Sequence, residues 1–536
     1  MAGHVNMMDD CLISNLPPAT LRSALRLLIS QSFDAQRSFV EHIRAKFHDD
    51  PPGFVAPETL LPGDDVVAPE CLAYLAQTRC IFSCKLARES LPYLEHFVEA
   101  IPQAKVKWTA NGDLEALLAH FGGDVVQAMQ ALKESRPEST PELLESLKSL
   151  LASLDKCEEY CKNAEPPLLF PFARARRQVE DVVNIFFPDQ APAPSPGPIK
   201  TMYRIVIELD EAARRSVETF RLGPFEVPRL FNGLWQLSSP SWGSGTAEDQ
   251  ESALRRLAES GLTAADMADH YGDAELIYGD FRNKLLPELR DTLYAATKWC
   301  VFSPLSGAVT TSFVLDAVRE RCRRLGGRAE LLQFHWQNYE SKEYLDILVE
   351  LTRISKPHPD LVATIGLCNF DSEHTEEVCE YLLAKTGSVG IVSNQVQFSL
   401  VDARPLHKMV HVCNKYGLKL LTYGSFYFDM IRTWGTWSEF QTLLERLKDA
   451  ASKHDVSIAN VATRWVLQQP AVGAVIVGTR LGVSDHVNDN VKVFGFELDD
   501  RDISSINAIA LGPSGEKMIA VFEKLGDCGN EYRKTH

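Results

Sequence analysis

The 536-residue sequence has no apolar run long enough to cross a lipid bilayer. Its first residues, MAGHVNMMDDCLISNL, lack the basic start and the apolar core of a secretory signal peptide. Its twelve cysteines are scattered through a large chain, which is typical of reduced thiols and not of a disulfide framework. We therefore expect a cytoplasmic protein with no membrane-spanning part.

Basic residues are few relative to acidic ones. Lys and Arg number 55 against 72 Asp and Glu, which gives a formal net charge of −17 at pH 7. Nucleic acid binding needs clustered Lys and Arg to neutralise phosphates, so we expect no nucleic acid partner. A hydrophobic fraction of 45% and a charged fraction of 24% are ordinary for a globular protein. The length predicts at least two domains.

The sharpest change of composition is the segment PDQAPAPSPGPIK, residues 188–200, which predicts a stiff Pro-rich linker. Before it, residues 1–187 contain helical periodicity without strands, and we predict a helical domain of unknown role. Within this part, Gly122 and Gly123 are expected to separate two short helices that begin near Asp113 and Asp124. After it, residues 201–512 form the second predicted domain, and residues 513–536 form a tail without an assigned role.

The second domain alternates short β-prone runs with amphipathic helical stretches. The eight runs lie near residues 229–235, 263–267, 292–298, 330–335, 361–367, 389–396, 417–423 and 473–478. Such alternation predicts a parallel sheet with crossover helices, and eight units in this length fit an α/β fold of the (β/α)8 TIM barrel type. An open doubly wound sheet is the alternative.

In a barrel of this kind the chemistry lies at the carboxyl ends of the strands. The polar residues at these ends are Asp266 and Tyr271 after the second run, Lys298 and His335 at the ends of the third and fourth, Cys368 and Asn369 after the fifth, Asn394 and Gln395 after the sixth, Tyr423 at the end of the seventh, and Gly478, Thr479 and Arg480 after the eighth.

A tyrosine, a lysine and an aspartate at one such mouth make a plausible acid–base group. A free phenol has a pKa of about 10, and a nearby ammonium lowers it by favouring the phenolate. An aspartate can hold and orient that lysine. The tyrosine can then donate a proton to a carbonyl oxygen as hydride reaches the carbon, and a neutral histidine can polarise the same oxygen.

The segment GLTAADMADHYGDAE resembles the signature of aldo-keto reductases, with a Gly, then an Asp, then Tyr-Gly five residues after the Asp. The resemblance continues in order through ATK, FHW, GLCNF, NQVQFS and LLTYGS, and it covers about residues 225–512. Six ordered segments on eight predicted strands are far more specific than one short motif.

The resemblance implies an NADP-dependent oxidoreductase that reduces an aldehyde or a ketone to an alcohol, or catalyses the reverse reaction. Its implied catalytic tetrad is Asp266, Tyr271, Lys298 and His335, with Tyr271 as general acid and base. It also implies that Asn369 and Gln395 hold the nicotinamide carboxamide, that Tyr423 stacks on the nicotinamide ring, and that Trp235 and Trp336 lie beside the substrate. Asp269 and His270 are expected to be loop residues.

Departures from the family pattern affect the cofactor. Cys368 stands where a serine is usual, and a thiol is a poorer hydrogen-bond donor. Gly478, Thr479 and Arg480 replace a common Lys-Ser pair, although Arg480 can still bind a 2′-phosphate bidentately. Asn490 occupies the place of an adenine-contacting Asn. We therefore expect NADPH, with NADH as a possible substitute, and no metal.

Other readings of these residues lead to different classes of protein. Tyr294 and Lys298 match the Tyr-x-x-x-Lys pair of short-chain dehydrogenases. That pair requires a long helix, which Pro304 and Gly307 would interrupt. Two Cys-x-x-x-Cys pairs before the linker could hold zinc, but cysteines at helical spacing more often pack in a core. The alternative function is a nicotinamide-binding regulatory or scaffold subunit whose helical domain binds a partner protein.

Overall fold

The computed structural model describes residues 13, 15–31, 33–135, 137–190, 204–207, 211–238, 245–302, 304–305, 307–424 and 428–533. These residues form two compact units. The first contains the chain up to Phe121 together with Thr140–Ala173, and the second contains Gly122–Ser139 and the chain from Arg174 onward. Most of the predicted linker, residues 191–200, lies outside the described residues. The predicted division into domains therefore stays a prediction, and residues 122–139 and 174–187 belong to the same compact unit as the barrel.

The helices before the linker carry the labels α1 to α8. Their bounds are α1 Pro18–Gln31, α2 Phe33–Asp49, α3 Pro57–Leu60, α4 Pro69–Ser83, α5 Ala87–Ala104, α6 Asp113–Ser135, α7 Pro141–Asn163 and α8 Ala173–Phe186. In the first unit, α5 and α7 pack together around side chains such as Leu94, Phe97, Leu147 and Leu154, which are fully buried.

The expectation of two short helices between residues 113 and 135 is wrong, since α6 runs without a break through Gly122 and Gly123. Val125, Ala128 and Met129 are all 0% exposed. The burial of this face outweighs the weak helix propensity of the two glycines, which is about 1 kcal/mol each relative to alanine.

Ten strands follow. They are β1 Thr219–Leu222, β2 Phe225–Pro228, β3 Leu230–Gly233, β4 Ala264–Asp266, β5 Tyr294–Val301, β6 Ala329–Trp336, β7 Val362–Cys368, β8 Ser393–Gln397, β9 Lys419–Tyr423 and β10 Val472–Gly478. Strands β3 to β10 pair in parallel and close into a barrel, with β10 bonded to β3. The predicted (β/α)8 barrel is confirmed, and each predicted run corresponds to one barrel strand.

The remaining helices have the labels α9 to α23. Their bounds are α9 Glu211–Ser216, α10 Ala247–Glu259, α11 Ala274–Asn283, α12 Pro287–Arg290, α13 Thr311–Leu325, α14 Glu343–Ser355, α15 Ser372–Thr386, α16 Met409–Tyr416, α17 Phe428–Trp434, α18 Trp437–His454, α19 Ile458–Leu467, α20 Val487–Asn490, α21 Asp500–Ala510, α22 Glu516–Leu525 and α23 Asn530–Arg533. Within the described parts of the chain, none of the helices has both the length and the hydropathy that a bilayer crossing requires.

The barrel interior is apolar at the end where the strands begin. Hairpin β1–β2 contributes Leu222 and Val227 to a buried cluster with Phe231, Tyr294 and Ile476. Because successive side chains of a strand point to opposite faces, the next inward positions toward the carboxyl ends are free for polar groups. Those positions carry the residues of the site.

Candidate active site

The four predicted catalytic residues come together at the carboxyl ends of neighbouring strands. Asp266 ends β4, Lys298 lies in the second half of β5, and His335 is the next-to-last residue of β6. Tyr271 lies in the turn after β4, where its N–H donates to the Ala268 carbonyl at 3.1 Å. Gly272 follows with a φ of +59°, a left-handed conformation that favours glycine and lets the chain enter α11.

A buried ion pair is the centre of this group. Lys298 Nζ lies 2.6 Å from Asp266 Oδ2, and the two side chains are 2% and 3% exposed. The same ammonium donates to the Met267 carbonyl at 2.9 Å. Burial alone would lower the pKa of Lys298, but the charge of Asp266 and the neighbouring Tyr271 outweigh it, so the pKa is raised. The lysine is therefore a stable cation at neutral pH.

Two glutamines hold the other oxygen of Asp266. Gln333 Nε2 and Gln395 Nε2 each donate to Asp266 Oδ1 at 2.8 Å, and Gln395 also donates to Gln333 Oε1 at 2.8 Å. Sequence reasoning missed Gln333. The signal was present, because Gln333 lies two residues before His335 on the same strand and therefore on the same inward face.

Tyr271 packs against the lysine. Lys298 Nζ lies 4.6 Å from the centroid of the phenol ring. Burial, the largest influence, raises the pKa of Tyr271, the Lys298 charge lowers it in part, and the Asp266 charge raises it again. The lysine acts in the direction that the sequence predicts, but burial outweighs it, so the phenol keeps its proton at neutral pH.

His335 is 4% exposed and lies beside the Phe302 ring at 5.4 Å between centroids. Its Nδ1 is 3.5 Å from Asn369 Nδ2, and its Nε2 is 3.4 Å from Gln337 Oε1. An amide nitrogen is a donor and an amide oxygen an acceptor. These contacts correspond to the tautomer that carries its proton on Nε2.

The predicted carboxamide-binding residues also converge. The Asn369 N–H donates to the Gln395 carbonyl at 2.8 Å, and Asn369 has a φ of +58° at the end of β7. The Tyr423 hydroxyl donates to Asn369 Oδ1 at 2.8 Å. Burial raises the pKa of the Cys368 thiol to about 12, so it is a neutral group beside them.

A cleft lies beside the end of β10. It is lined by Gly478, the last residue of that strand, and by Thr479, Arg480, Ser484 and Asn490. The Thr479 N–H donates to the Gly233 carbonyl at 2.9 Å, which fixes the start of this loop against β3. Arg480 is exposed, and its Nε lies 3.4 Å from Ser484 Oγ.

The donor set fits a nicotinamide dinucleotide. Gly478 lies against the side-chain amide of Gln236, which a Cβ at this position would displace. The Gln236 Oε1 atom is buried and has no hydrogen-bond partner among the described residues. The side-chain amides of Asn369 and Gln395 and the guanidinium of Arg480 are groups of the kind that bind the carboxamide and the phosphates of such a cofactor.

The two tryptophans that were predicted to lie beside the substrate have different surroundings in the structure. Trp235 follows β3 and is 42% exposed. Trp336 is 2% exposed, belongs to the layer between the strands and the helices, and packs on Tyr344 of α14 at 6.1 Å between ring centroids. The structure therefore does not bring Trp336 to the tetrad, because it points to the face of β6 opposite His335.

Asp269, His270 and Cys300 form the set of possible metal ligands in the described part of the chain, with their ligand atoms all within 4.8 Å of one another. The Asp269 carboxylate already accepts from the Cys300 N–H at 3.1 Å and from the Arg321 guanidinium at 3.3 Å. These bonds give Asp269 a role in tying the loop after β4 to β5 and α13.

The family follows from a comparison with known proteins. The model of the aldo/keto reductase family matches residues 229–511, just over half of the 536-residue chain. The chain belongs to the aldo/keto reductase family. Membership supports an oxidoreductase function with a nicotinamide cofactor, as the family generally uses one. The match begins at residue 229 and does not include the N-terminal helices.

The chain is also similar to several individual proteins. An aldo-keto reductase of Mycobacterium sp. (strain MCS) is 25% identical over 281 residues, which are 51% of this chain and 88% of that protein. The glyoxal reductase of Bacillus subtilis (strain 168) is 26% identical over 306 residues, which are 55% of this chain and 98% of that protein. A crystal structure of a thermostable aldo-keto reductase with the inhibitor epalrestat covers 55% of this chain and 99% of its own, at 21% identity and a TM-score of 0.43.

The buried ion pair predicts a test of stability. Replacing Lys298 with Met should lower the free energy of unfolding by about 3–5 kcal/mol, because it leaves the Asp266 carboxylate buried without its cation. The double variant Asp266→Asn/Lys298→Met removes both charges and should recover most of that loss. Urea denaturation followed by tryptophan fluorescence measures both. Equal losses in the single and the double variant would show that the pair is not the source of the effect.

Proposed function

We propose that this chain is an NADPH-dependent reductase of aldehydes or ketones in which Tyr271 is the proton donor. The observation that carries the proposal is the Asp266–Lys298 ion pair, which lies against the Tyr271 ring at the barrel mouth. A protonated phenol, a fixed cation and a neutral imidazole are the groups that carbonyl reduction needs.

The chemistry of these residues follows from their protonation. Tyr271 gives its hydroxyl proton to the carbonyl oxygen as hydride is added to the carbonyl carbon, which yields the alcohol. Lys298 stabilises the phenolate that Tyr271 becomes, since the ammonium is held beside the ring by Asp266. His335 donates from Nε2 to the same carbonyl oxygen and so orients it. In the reverse reaction Tyr271 accepts the proton of the alcohol.

The reduced nicotinamide supplies the hydride when it is bound. Asn369 and Cys368 would hold its carboxamide, and Tyr423 would lie against its ring. The Nε2 of Gln395 already donates to Asp266, so Gln395 would contact the carboxamide through its Oε1 as an acceptor. Gly478, Thr479 and Arg480 would bind the phosphates, and Asn490 would contact the adenine.

The substrate is a carbonyl compound that reaches the mouth beside Trp235, the exposed aromatic next to β3. The name of the Bacillus relative, glyoxal reductase, describes a small dicarbonyl substrate for that protein. A small aldehyde is therefore the first substrate to test on this chain.

Replacing Tyr271 with Phe should reduce carbonyl-dependent NADPH oxidation by at least about 100-fold, because general acid catalysis of this kind contributes roughly 10²–10⁴-fold. The affinity for NADPH, measured by quenching of protein fluorescence, should be unchanged. Tyr294→Phe is the matched control, since it removes a phenol hydroxyl from the same barrel and should leave turnover intact. Full activity of Tyr271→Phe would refute the proposed role.

The wild-type measurement also separates the alternative function. NADPH binding without turnover of any aldehyde or ketone would favour a regulatory or scaffold subunit over a reductase.

Arg480 predicts the cofactor preference. Its guanidinium should bind the 2′-phosphate, so Arg480→Gln should weaken NADPH binding by roughly 10- to 100-fold, the equivalent of about 1.5–3 kcal/mol for a charged hydrogen bond. The dissociation constant for NADH, which lacks this phosphate, serves as the internal control and should not change. A parallel loss of NADH affinity would indicate damage to the loop instead of a lost phosphate contact.

A further inference from the structure

The turn that carries Tyr271 is held by residues that lie far away in the sequence. The Gly272 N–H donates to Gln130 Oε1 at 3.2 Å, and the Gly272 carbonyl accepts from the Arg324 guanidinium at 2.8 Å. Both polar groups of the residue that follows Tyr271 are thus bound from outside the turn. Gln130 lies on α6, in the stretch that belongs to the same compact unit as the barrel.

Arg324 is itself fixed by two buried carboxylates. Its Nε donates to Glu275 and its Nη1 donates to Asp181 of α8. The side chains of Arg324, Glu275 and Asp181 are 0%, 0% and 2% exposed. A guanidinium this deeply buried is stable only when carboxylates pair with its charge and accept its hydrogen bonds, so these partners hold it in place.

The Asp181 carboxylate accepts hydrogen bonds from several cationic side chains. It accepts from Lys133 Nζ of α6 at 2.7 Å and from Arg323 at 2.7 Å, in addition to Arg324. Burial would raise the pKa of Asp181, but the charges of Lys133 and Arg324 outweigh it and hold the pKa well below its ordinary value. Asp181 is therefore an anion at neutral pH, and it links α6, α8 and α13.

A second contact lies at the start of α11. Arg174 Nε of α8 lies 3.0 Å and 3.1 Å from the two carboxylate oxygens of Asp273, which is fully buried. The same guanidinium also donates to the Leu237 carbonyl after β3. One arginine therefore ties the Tyr271 turn to the loop that carries Trp235.

The residues that make these contacts share one face on each of two helices. Gln130 and Lys133 are three residues apart on α6, and Arg174, Gln178 and Asp181 follow a helical period on α8. Lys133 Nζ also donates to Gln178 Oε1 at 2.9 Å, which joins the two faces to each other.

We propose that Gln130, Arg174 and Asp181 are positioning residues for Tyr271, so that segments before the Pro-rich linker are an integral part of the reductase site. The proposal rests on the proposed function of Tyr271. It assigns a positioning role to side chains of α8 and of the part of α6 after Gly122, which lie outside the family match. These residues act by fixing the Gly272 peptide and the start of α11, and they touch neither substrate nor cofactor.

The kinetic test uses the full-length chain. Gln130→Met removes the acceptor of the Gly272 N–H and should lower kcat by roughly 10- to 100-fold, since small displacements of a reacting group cost about that much. NADPH affinity should be unchanged. Gln130→Glu keeps an acceptor oxygen but places it against the Glu134 carboxylate, which now accepts from Gln130 Nε2 at 2.9 Å. The double variant Gln130→Glu/Glu134→Gln therefore keeps both contacts and should restore most of kcat. An unchanged kcat in Gln130→Met would overturn the proposal.

A second pair of variants tests the ion pairs that Asp181 forms. Asp181→Asn should lower kcat in the same way, whereas Glu180→Gln removes one charge from the adjacent, more exposed position of α8 and should have no effect. Equal losses in the two variants would contradict a specific role of Asp181.

Hydrogen–deuterium exchange of the peptide around Gly272 gives a readout that needs no turnover. Gln130→Met should accelerate exchange there, and Glu180→Gln should not. If the wild type reduces no carbonyl compound, the proposed function fails, yet the exchange data still report on the turn. Unchanged exchange in Gln130→Met would overturn the inference even in an active enzyme.

Discussion

The ion pair between Asp266 and Lys298 is the interaction on which the site depends. A lysine and an aspartate this deeply buried are each costly to remove from water, and they are tolerated only as a pair with completed hydrogen bonds. Gln333, Gln395 and the Met267 carbonyl complete those bonds. The Asp266 carboxylate of β4 is thereby bonded to side chains of β5, β6 and β8, and Tyr271 meets a cation whose position is fixed.

The fold and the position of the predicted tetrad residues at the strand ends were predictable because their signals are local. Each barrel strand is a short β-prone run followed by an amphipathic helix, and each tetrad residue lies at or just after the end of such a run. Strand alternation carries further information. It places Gln333 on the inward face with His335, and it places Trp336 on the helix-facing side. Both features can be read from the order of residues in LLQFHW, although Trp336 was expected beside the substrate.

The support of the Tyr271 turn could not be predicted from local sequence. Gln130 and Gly272 are 142 positions apart, and Asp181 and Arg324 are 143 positions apart. A Pro-rich segment lies between the members of each pair, and its composition suggests a boundary. Composition carries no information on which helix face packs against the barrel. The direction of the Tyr271 pKa shift could not be predicted from the sequence either, because it depends on the burial of the phenol in the folded protein.

The pH dependence of carbonyl reduction tests the central claim most directly. In the proposed mechanism the rate requires protonated Tyr271, so it should fall as pH rises through the pKa of that residue, and a raised pKa moves this fall to higher pH. The account predicts a rate of the chemical step that is constant through neutrality and falls only above about pH 10, the ordinary value for tyrosine. A fall centred near about pH 6.5, the ordinary value for histidine, would contradict it and would assign the proton to an imidazole.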